Sequence, residues 1–560
     1  MLKRILLLLL SFLILSSCSN KPANSLAVAS AHPIATQAGI DLMQQGCNAF
    51  DAAIAVSATL AVVEPYSSGM GGGGFWLLHE SDKDRFIMVD GRETAPGRAT
   101  RDMYLDDSGN IIPGLSRDGV LAAGIPGQAA ALVHIAKEYG KCDLATSLQP
   151  AIDAAKNGFA VTSHYQNMVK WRLKVLQASP TSAKTFLQNN DVPEKAYLIK
   201  QPALARTLTL LAKNGHDGFY KGVVAANMVK AVQQAGGIWT MADLARYRIK
   251  EREPVFGQYK GYKIVSAAPP SSGGIAIMSM LNMLEGDDLP VLRTADRIHL
   301  TTEVMRRAYR DRAEFLGDPD FISIPTKKLI STEYNSHLRK SISMDSATPS
   351  ATLKQVGQVQ QGDHTTHFSI IDSAGNKVSA TLSINYPFGS GFTAADTGVL
   401  LNDEMDDFSS RPGTPNGYGL VGAEANAILP NKRMLSSMSP TIVIGKDRTA
   451  ILGSPGGSRI ITMVLHGVLG FVEGHSAKKI VAQPRYHHQF LPDVIQHEDN
   501  TFSDASRAEL TLRGFTLKKI NYRYGNMQMI IQDNKNNTMT AASDPRGEGT
   551  STVVTYTARP

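Results

Sequence analysis

Three cysteines in 560 residues are too few for a disulfide framework, which sets the chain apart from small stapled scaffolds. Positive charge is thin as well. The 57 Lys and Arg stand against 50 Asp and Glu, and no basic cluster is interleaved with aromatics, so composition argues against a nucleic-acid partner. No internal repeat is present. The glycine run Gly71-Gly72-Gly73-Gly74 has no Lys-Ser/Thr after it and leads into a strand, which argues against a phosphate-binding loop and for close backbone packing. What remains is 43% hydrophobic and 19% charged, an ordinary globular chain with enough length for one large core or several domains.

At the N-terminus, Lys3-Arg4 and the apolar run Ile5 to Leu15 read as an export signal. The run is shorter than the roughly 17 to 25 residues that span a bilayer. Its ending, Leu15-Ser16-Ser17-Cys18, resembles a bacterial lipobox, in which removal of residues 1–17 leaves Cys18 as a lipid-bearing first residue. Ser19 resembles the outer-membrane sorting pattern, so the expected location is lipid-anchored on the periplasmic side of a bacterial membrane. Without Lys3 and Arg4 the basic excess falls to five. Cys47 and Cys142 then remain, and two unpaired buried thiols are expected.

Ile34 to Gln45 has apolar residues at helical spacing and stops at Gly46; Asn48 or Asp51 can cap the Ala-rich run that continues to Val63. Strands are expected at Phe75 to His79 and Phe86 to Asp90. From Gly124 to about Phe321 the chain reads as mostly helical scaffold, with clear helices at Ala130 to Tyr139, Leu204 to Ala212, Ala225 to Ala235 and Thr294 to Leu316. A strand at Tyr262 to Ala268 runs into Pro269-Pro270-Ser271-Ser272-Gly273-Gly274, whose glycines open another helix.

The informative stretch is Gly362-Asp363-His364-Thr365-Thr366-His367-Phe368-Ser369. A polar segment from about Ser343 to His364 precedes it, and Phe368 to Ile371, the turn Asp372 to Asn376 and Val378 to Ile384 follow as a β-hairpin. Two β-branched residues suit the start of a strand. They also stand where a cut would leave threonine as a new N-terminus. A threonine hydroxyl needs a base within hydrogen-bond reach, and a free α-amine on the same residue, with a pKa of about 8, supplies one.

Four blocks follow in order: Thr365-Thr366-His367-Phe368-Ser369, Asn402-Asp403-Glu404-Met405-Asp406-Asp407-Phe408-Ser409, Leu435-Ser436-Ser437-Met438-Ser439-Pro440-Thr441 and Gly453-Ser454-Pro455-Gly456-Gly457-Ser458-Arg459. Their sequence and spacing resemble the signature blocks of γ-glutamyltransferases, and the likeness runs from about Leu26 to near the C-terminus. The resemblance implies an α+β fold, the four-layer αββα sandwich of N-terminal-nucleophile hydrolases. It implies self-cleavage between His364 and Thr365 into a large piece (18–364) and a small one (365–560), which work as a heterodimer in one composite domain.

The resemblance also implies the site. Thr365 is the nucleophile, and Gly456 and Gly457 form the oxyanion hole at the start of the helix Arg459 to Val472. Arg92, with Ser436 and Ser437, takes the donor's α-carboxylate, for which a planar guanidinium fork is suited. Asp407 takes its α-amine, assisted by Glu404 and Asn385. Thr381, Ser383 and Asn385 share one strand face, and Ser383 stands where the family usually has threonine. Ser410 to Ile428, rich in turn formers, reads as a mobile loop, and it resembles the lid of the longer family members, with Tyr418 closing over the donor site. The pairs His364/His367 and His487-His488 have poor ligand geometry, so neither a metal nor a cofactor is expected.

The implied reaction moves the γ-glutamyl group of glutathione or a similar compound through a Thr365 ester to water, or to an amino acid or dipeptide. The alternatives are an acylase on other donors, of the cephalosporin or poly-γ-glutamate type, and an inactive surface lipoprotein that only binds γ-glutamyl peptides. Arg92, Asp407 and the Ser436-Ser437 pair argue against the first, and intact Thr365, Gly456 and Gly457 against the second.

Overall fold

The computed structural model describes residues 24–353 and 365–556. The leader, Cys18 and His364 lie outside the described residues, as do the lipid-anchor expectation and one side of the expected cut. Among the described residues, no helix is long and apolar enough to cross a membrane.

Two antiparallel sheets lie face to face. One runs in the order Thr550–Tyr556, Asn24–Ser30, Thr366–Ile371, Lys377–Ser383, Gly73–Glu80, Arg85–Asp90, Lys250–Arg252. The other runs Thr538–Ser543, Gln528–Asp533, Arg448–Gly453, Thr441–Ile444, Tyr262–Ser266, Val255–Tyr259. The period-2 alternation of each strand decides what each face touches. Ala27, Ala29, Leu77 and Ile371 point inward and pack on Val265, Ile442, Ile451 and Ile530 of the facing sheet. Their neighbours Val28, Trp76, Leu78, Ile370 and Leu382 point outward, into one cluster with Ile54, Leu60 and Val62 of the helix Ala49–Val63. On the far side, Ile264, Val443, Ala450 and Leu452 pack with residues of the helices Gly273–Leu284, Thr294–Phe315 and Ile460–Val472. The result is the α+β, four-layer αββα arrangement that the resemblance implies.

Two local features set the strand Thr366–Ile371. The hairpin loop Asp372 to Asn376 is closed by Asp372 Oδ1, which accepts the amides of Ala374 and Asn376, and by Gly375 at φ 89°. The other carboxylate oxygen of Asp372 accepts the amide of Ala49, at the start of the buried helix, so hairpin and helix are locked together. The glycine run lies alongside. A Cβ on Gly72 would sit 2.2 Å from the carbonyl oxygen of Ser383, and one on Gly71 2.1 Å from that of Leu400. Only glycine permits that approach.

One expectation is corrected. Cys47 and Cys142 are joined as a disulfide, their Cα atoms 5.5 Å apart and their positions 95 residues apart in the chain. The physical cause is the capping box of the helix Ala49–Val63, formed by Asn48 and Asp51. Asp51 Oδ2 also accepts the amides of Lys141 and Cys142, and Asn48 donates to the Tyr139 carbonyl. The cap thus draws the second cysteine onto the residue just before the first turn.

Candidate active site

Thr365 immediately precedes the strand Thr366–Ile371 and is 6% exposed. Its neighbour is fastened. Thr366 pairs with Leu382 across the hairpin, and its hydroxyl donates to Glu64 Oε2 at 2.7 Å. Thr365 lines two spaces at once. One is an outer cleft of about 530 Å³, bordered by Glu64, Trp171, Gly456, Tyr522, Arg523 and Asn526. The other is a tight inner pocket of about 20 Å³.

Gly456 borders the cleft and Gly457 the inner pocket, so the glycine pair spans the two spaces as Thr365 does. They follow the strand Arg448–Gly453 and open the turn Gly457–Arg459 that leads into the helix Ile460–Val472. Their φ angles, 142° and 53°, are disfavoured for side-chain-bearing residues. Backbone N–H groups at such a helix start suit a developing negative charge.

The inner pocket collects Arg92, Ser383, Asn385, Glu404, Asp407, Tyr418, Ser436 and Ser437. Residues drawn from five separate segments therefore meet at Thr365. Arg92 is 1% exposed and already engaged: Nη1 donates to Glu404 Oε2 and Nη2 to Asp407 Oδ2, both at 2.5 Å. Burial raises the Glu404 carboxyl to about 7; Arg92 works against this and the Asp407 charge adds to it. Burial likewise raises Asp407, again opposed by Arg92. Glu93, behind them, is raised well above the carboxylate range by burial and by the Glu404 charge. The guanidinium stays charged: Glu404, Asp407 and Glu93 outweigh the burial that opposes its charge.

Residues 35–554 match the family Gamma-glutamyltranspeptidase. The chain belongs to that family. It is 40% identical over 526 residues to the glutathione hydrolase proenzyme of Escherichia coli strain K12, covering 93% of this chain and 90% of that one. Among solved structures it resembles the cephalosporin acylase from Bacillus halodurans, with a TM-score of 0.82, 26% identity, and 95% and 96% of the two chains covered. It also resembles the γ-glutamyltranspeptidase of Helicobacter pylori, with a TM-score of 0.57 and 40% identity over 60% of this chain and 96% of that one.

Against this γ-glutamyltranspeptidase background the remaining site residues can be placed. Ser383 ends its strand opposite Gly73, and its hydroxyl accepts the amide of Asn385 at 2.7 Å. Asn385 leaves the strand at φ 73° and donates from its side chain to the Asp403 carbonyl. Ser436 and Ser437 lie beside the loop that contains Ser272, which donates from both its amide and its hydroxyl to the Ser436 carbonyl.

The segment from 410 to 428, expected to be a mobile lid, makes hydrogen bonds within itself and to its surroundings. Asn416 Oδ1 accepts the amides of Tyr418 and Leu420, Gly417 N donates to Asp406, and Gln489 donates to the carbonyls of Tyr418 and Gly419. Tyr418 itself is buried, donates to the Asn385 carbonyl at 2.9 Å and stacks on Tyr386 with ring centres 4.9 Å apart. Gln489 also accepts from the Ser458 hydroxyl, which links this segment to the turn Gly457–Arg459. Sequence reasoning missed Gln489, Glu64 and Glu93, since none stands in a signature block.

The described members of the two histidine pairs have protein partners. His367 faces Thr381 Oγ1 at 2.9 Å and burial lowers it to about 3; His487 bonds Thr462 and Gln489, and His488 bonds Asp493. Among the described residues, the one group of His, Cys, Asp and Glu with ligand spacing is Cys47, Asp51 and Cys142, whose sulfurs are bonded to each other.

Proposed function

We propose that the chain is an exported, self-processing γ-glutamyltransferase that moves the γ-glutamyl group of glutathione and related compounds to water, or to an amino acid or dipeptide. The carrying observation is that Thr365 lies where the charged inner pocket and the open outer cleft meet, with Gly456 and Gly457 astride the same junction.

In maturation, Thr365 Oγ attacks the carbonyl carbon of His364. The peptide nitrogen leaves as the free α-amine of Thr365, and water releases the resulting ester. In turnover, Thr365 Oγ attacks the γ-carbonyl of the donor while the α-amine accepts the hydroxyl proton and passes it to the departing amine. The N–H groups of Gly456 and Gly457 receive the oxyanion, each such donor contributing about 3 kcal/mol at the transition state. Water or an acceptor amine then takes the γ-glutamyl group from the ester. The donor's ammonium goes to Asp407 and Glu404, with Asn385 alongside, and its carboxylate to Arg92, Ser436 and Ser437. Because Arg92 is held by both acids and Tyr418 covers the pocket, donor binding exchanges existing ion pairs for new ones. An acyl group without both charges would leave buried charge unmatched, which favours the γ-glutamyl donor over others.

The pieces, 18–364 and 365–560, act as a heterodimer, and lipid on Cys18 holds it at the periplasmic side of the membrane. Mass measurement of the purified protein under denaturing conditions tests the core of this reading. Two chains, the smaller beginning at Thr365, are expected, and one chain from Thr365→Ala. A single uncut wild-type chain favours a binding protein. Likeness to the Bacillus halodurans cephalosporin acylase across nearly the whole chain supports a second reading, an acylase on other donors. A higher kcat/KM for glutaryl amides than for γ-glutamyl amides would establish it.

A further inference from the structure

Arg312 lies in the last turn of the helix Thr294–Phe315 and is 4% exposed. Among the described residues, the buried guanidiniums of Arg92, Arg306, Arg307, Arg433 and Arg485 each have a carboxylate partner. Among those same described residues Arg312 has no such ion pair. Its hydrogen bonds go to hydroxyls: Nε donates to Ser272 Oγ at 3.1 Å and Nη2 to Ser437 Oγ at 3.4 Å. Ser272 in turn donates to the Ser436 carbonyl at 2.7 Å. One guanidinium therefore braces both serines of the inner pocket.

We propose that Arg312 is a positioning and charge-matching residue for the donor's α-carboxylate, acting through Ser436 and Ser437. This rests on the donor-site reading given above. A buried cation without a counter-ion is unfavourable unless something completes it, and an anion in the inner pocket would do so. The hydrogen-bond direction fits. Ser437 Oγ accepts from Arg312, so its own proton is left to point at an acceptor in the pocket. Arg92, the guanidinium that itself lines the pocket, is already shared between Glu404 and Asp407. A zwitterionic donor would bring an ammonium to those two acids and a carboxylate to the side backed by Arg312, leaving every charge matched. Burial lowers the Arg312 pKa to about 10, with Tyr309 and Asp407 opposing and Arg92 adding to the fall, so the side chain remains a cation at neutral pH.

The test compares two chromogenic anilides, γ-glutamyl anilide and its α-carboxamide, on wild type, Arg312→Gln, Arg312→Lys and Ser437→Ala. Cleavage into two pieces is monitored by mass as an independent readout of folding. In Arg312→Gln, KM for the carboxylate donor should rise about 30-fold, as for a lost charge-assisted contact, with kcat and the carboxamide donor's KM changed by at most about threefold. Arg312→Lys should recover part of the loss, and Ser437→Ala should show the same donor selectivity. Equal losses on both donors, or none, would overturn the proposal. If Arg312→Gln yields no soluble protein, the same comparison on Arg312→Lys and Ser437→Ala decides. A wild type that does not prefer the carboxylate donor would instead sink the donor-site reading itself.

Discussion

Glu64→Gln isolates one buried carboxyl that shares the outer cleft with Thr365. Glu64 follows the helix Ala49–Val63, is 3% exposed, and borders the outer cleft with Thr365. Burial raises it from 4.5 to about 8; the Thr366 and Tyr66 hydroxyls work against that rise, and the Glu548 charge adds to it. The native chain therefore keeps a proton that the unfolded chain releases above about pH 4.5. The stabilisation is full below that pH and is lost as pH climbs through about 8, at about 1.4 kcal/mol per pH unit inside the window. With an unfolding entropy of about 2.1 cal/mol/K per residue, a chain of this size converts that slope into about 1.2 °C per pH unit. Glutamine cannot ionise, yet it still accepts the Thr366 hydroxyl. Thermal melting at constant ionic strength should thus show the variant gaining about 4 °C on wild type between pH 4.5 and 8. Parallel melting curves would refute the reasoning, because they would mean that Glu64 is no more protonated in the native chain than in the unfolded one.

The remaining predictions concern Gly456, Ser383 and the disulfide. Gly456→Ala puts a Cβ 2.3 Å from Met463 Cε at a φ of 142°, so steady-state kinetics should show kcat lowered about 100-fold with KM little changed. Ser383→Ala removes the acceptor for the Asn385 amide. A loss of about 1 kcal/mol, read as roughly fivefold in kcat/KM, is expected. Replacing both Cys47 and Cys142 by Ser opens a loop of 95 residues, which by chain entropy costs about 4.7 kcal/mol, or about 4 °C in Tm for a chain of this size. An unchanged melting point would show that the bridge contributes nothing.

Much of the architecture is legible in the chain because period and capping act locally. The hairpin around Asp372 to Asn376, the helix stop at Gly46 and the long helix beginning at Thr294 can all be read from their own residues. The four signature blocks likewise carry Thr365, Glu404, Asp407, Ser436, Ser437, Gly456 and Gly457 to the same junction. The disulfide was not legible, since it depends on Asp51 capping its own helix while binding amides about 90 positions later. Nor was the lid's attachment. Turn formers in 410–428 predict loop geometry, whereas what fastens the loop is Asp406 and Gln489, which lie outside it.

The same distinction explains why Arg92 was half understood. By its residues alone a strand-end arginine reads as a solvated charge, and the resemblance made it a carboxylate fork, but its two hydrogen-bonded acids stand more than 300 positions away, and only the packed fold shows that they are carboxylates of the protein. That pairing changes the recognition argument. A guanidinium waiting empty would attract any anion, including acyl groups with no amine. One held by Glu404 and Asp407 releases its donors at little cost only when a cation arrives to satisfy those acids. On the proposed function, selectivity for a zwitterion then follows from charge exchange within the pocket rather than from one strong contact, and it needs a second cation on the serine side to balance the carboxylate. Arg312, in a helix whose sequence suggested only scaffold, stands at that place.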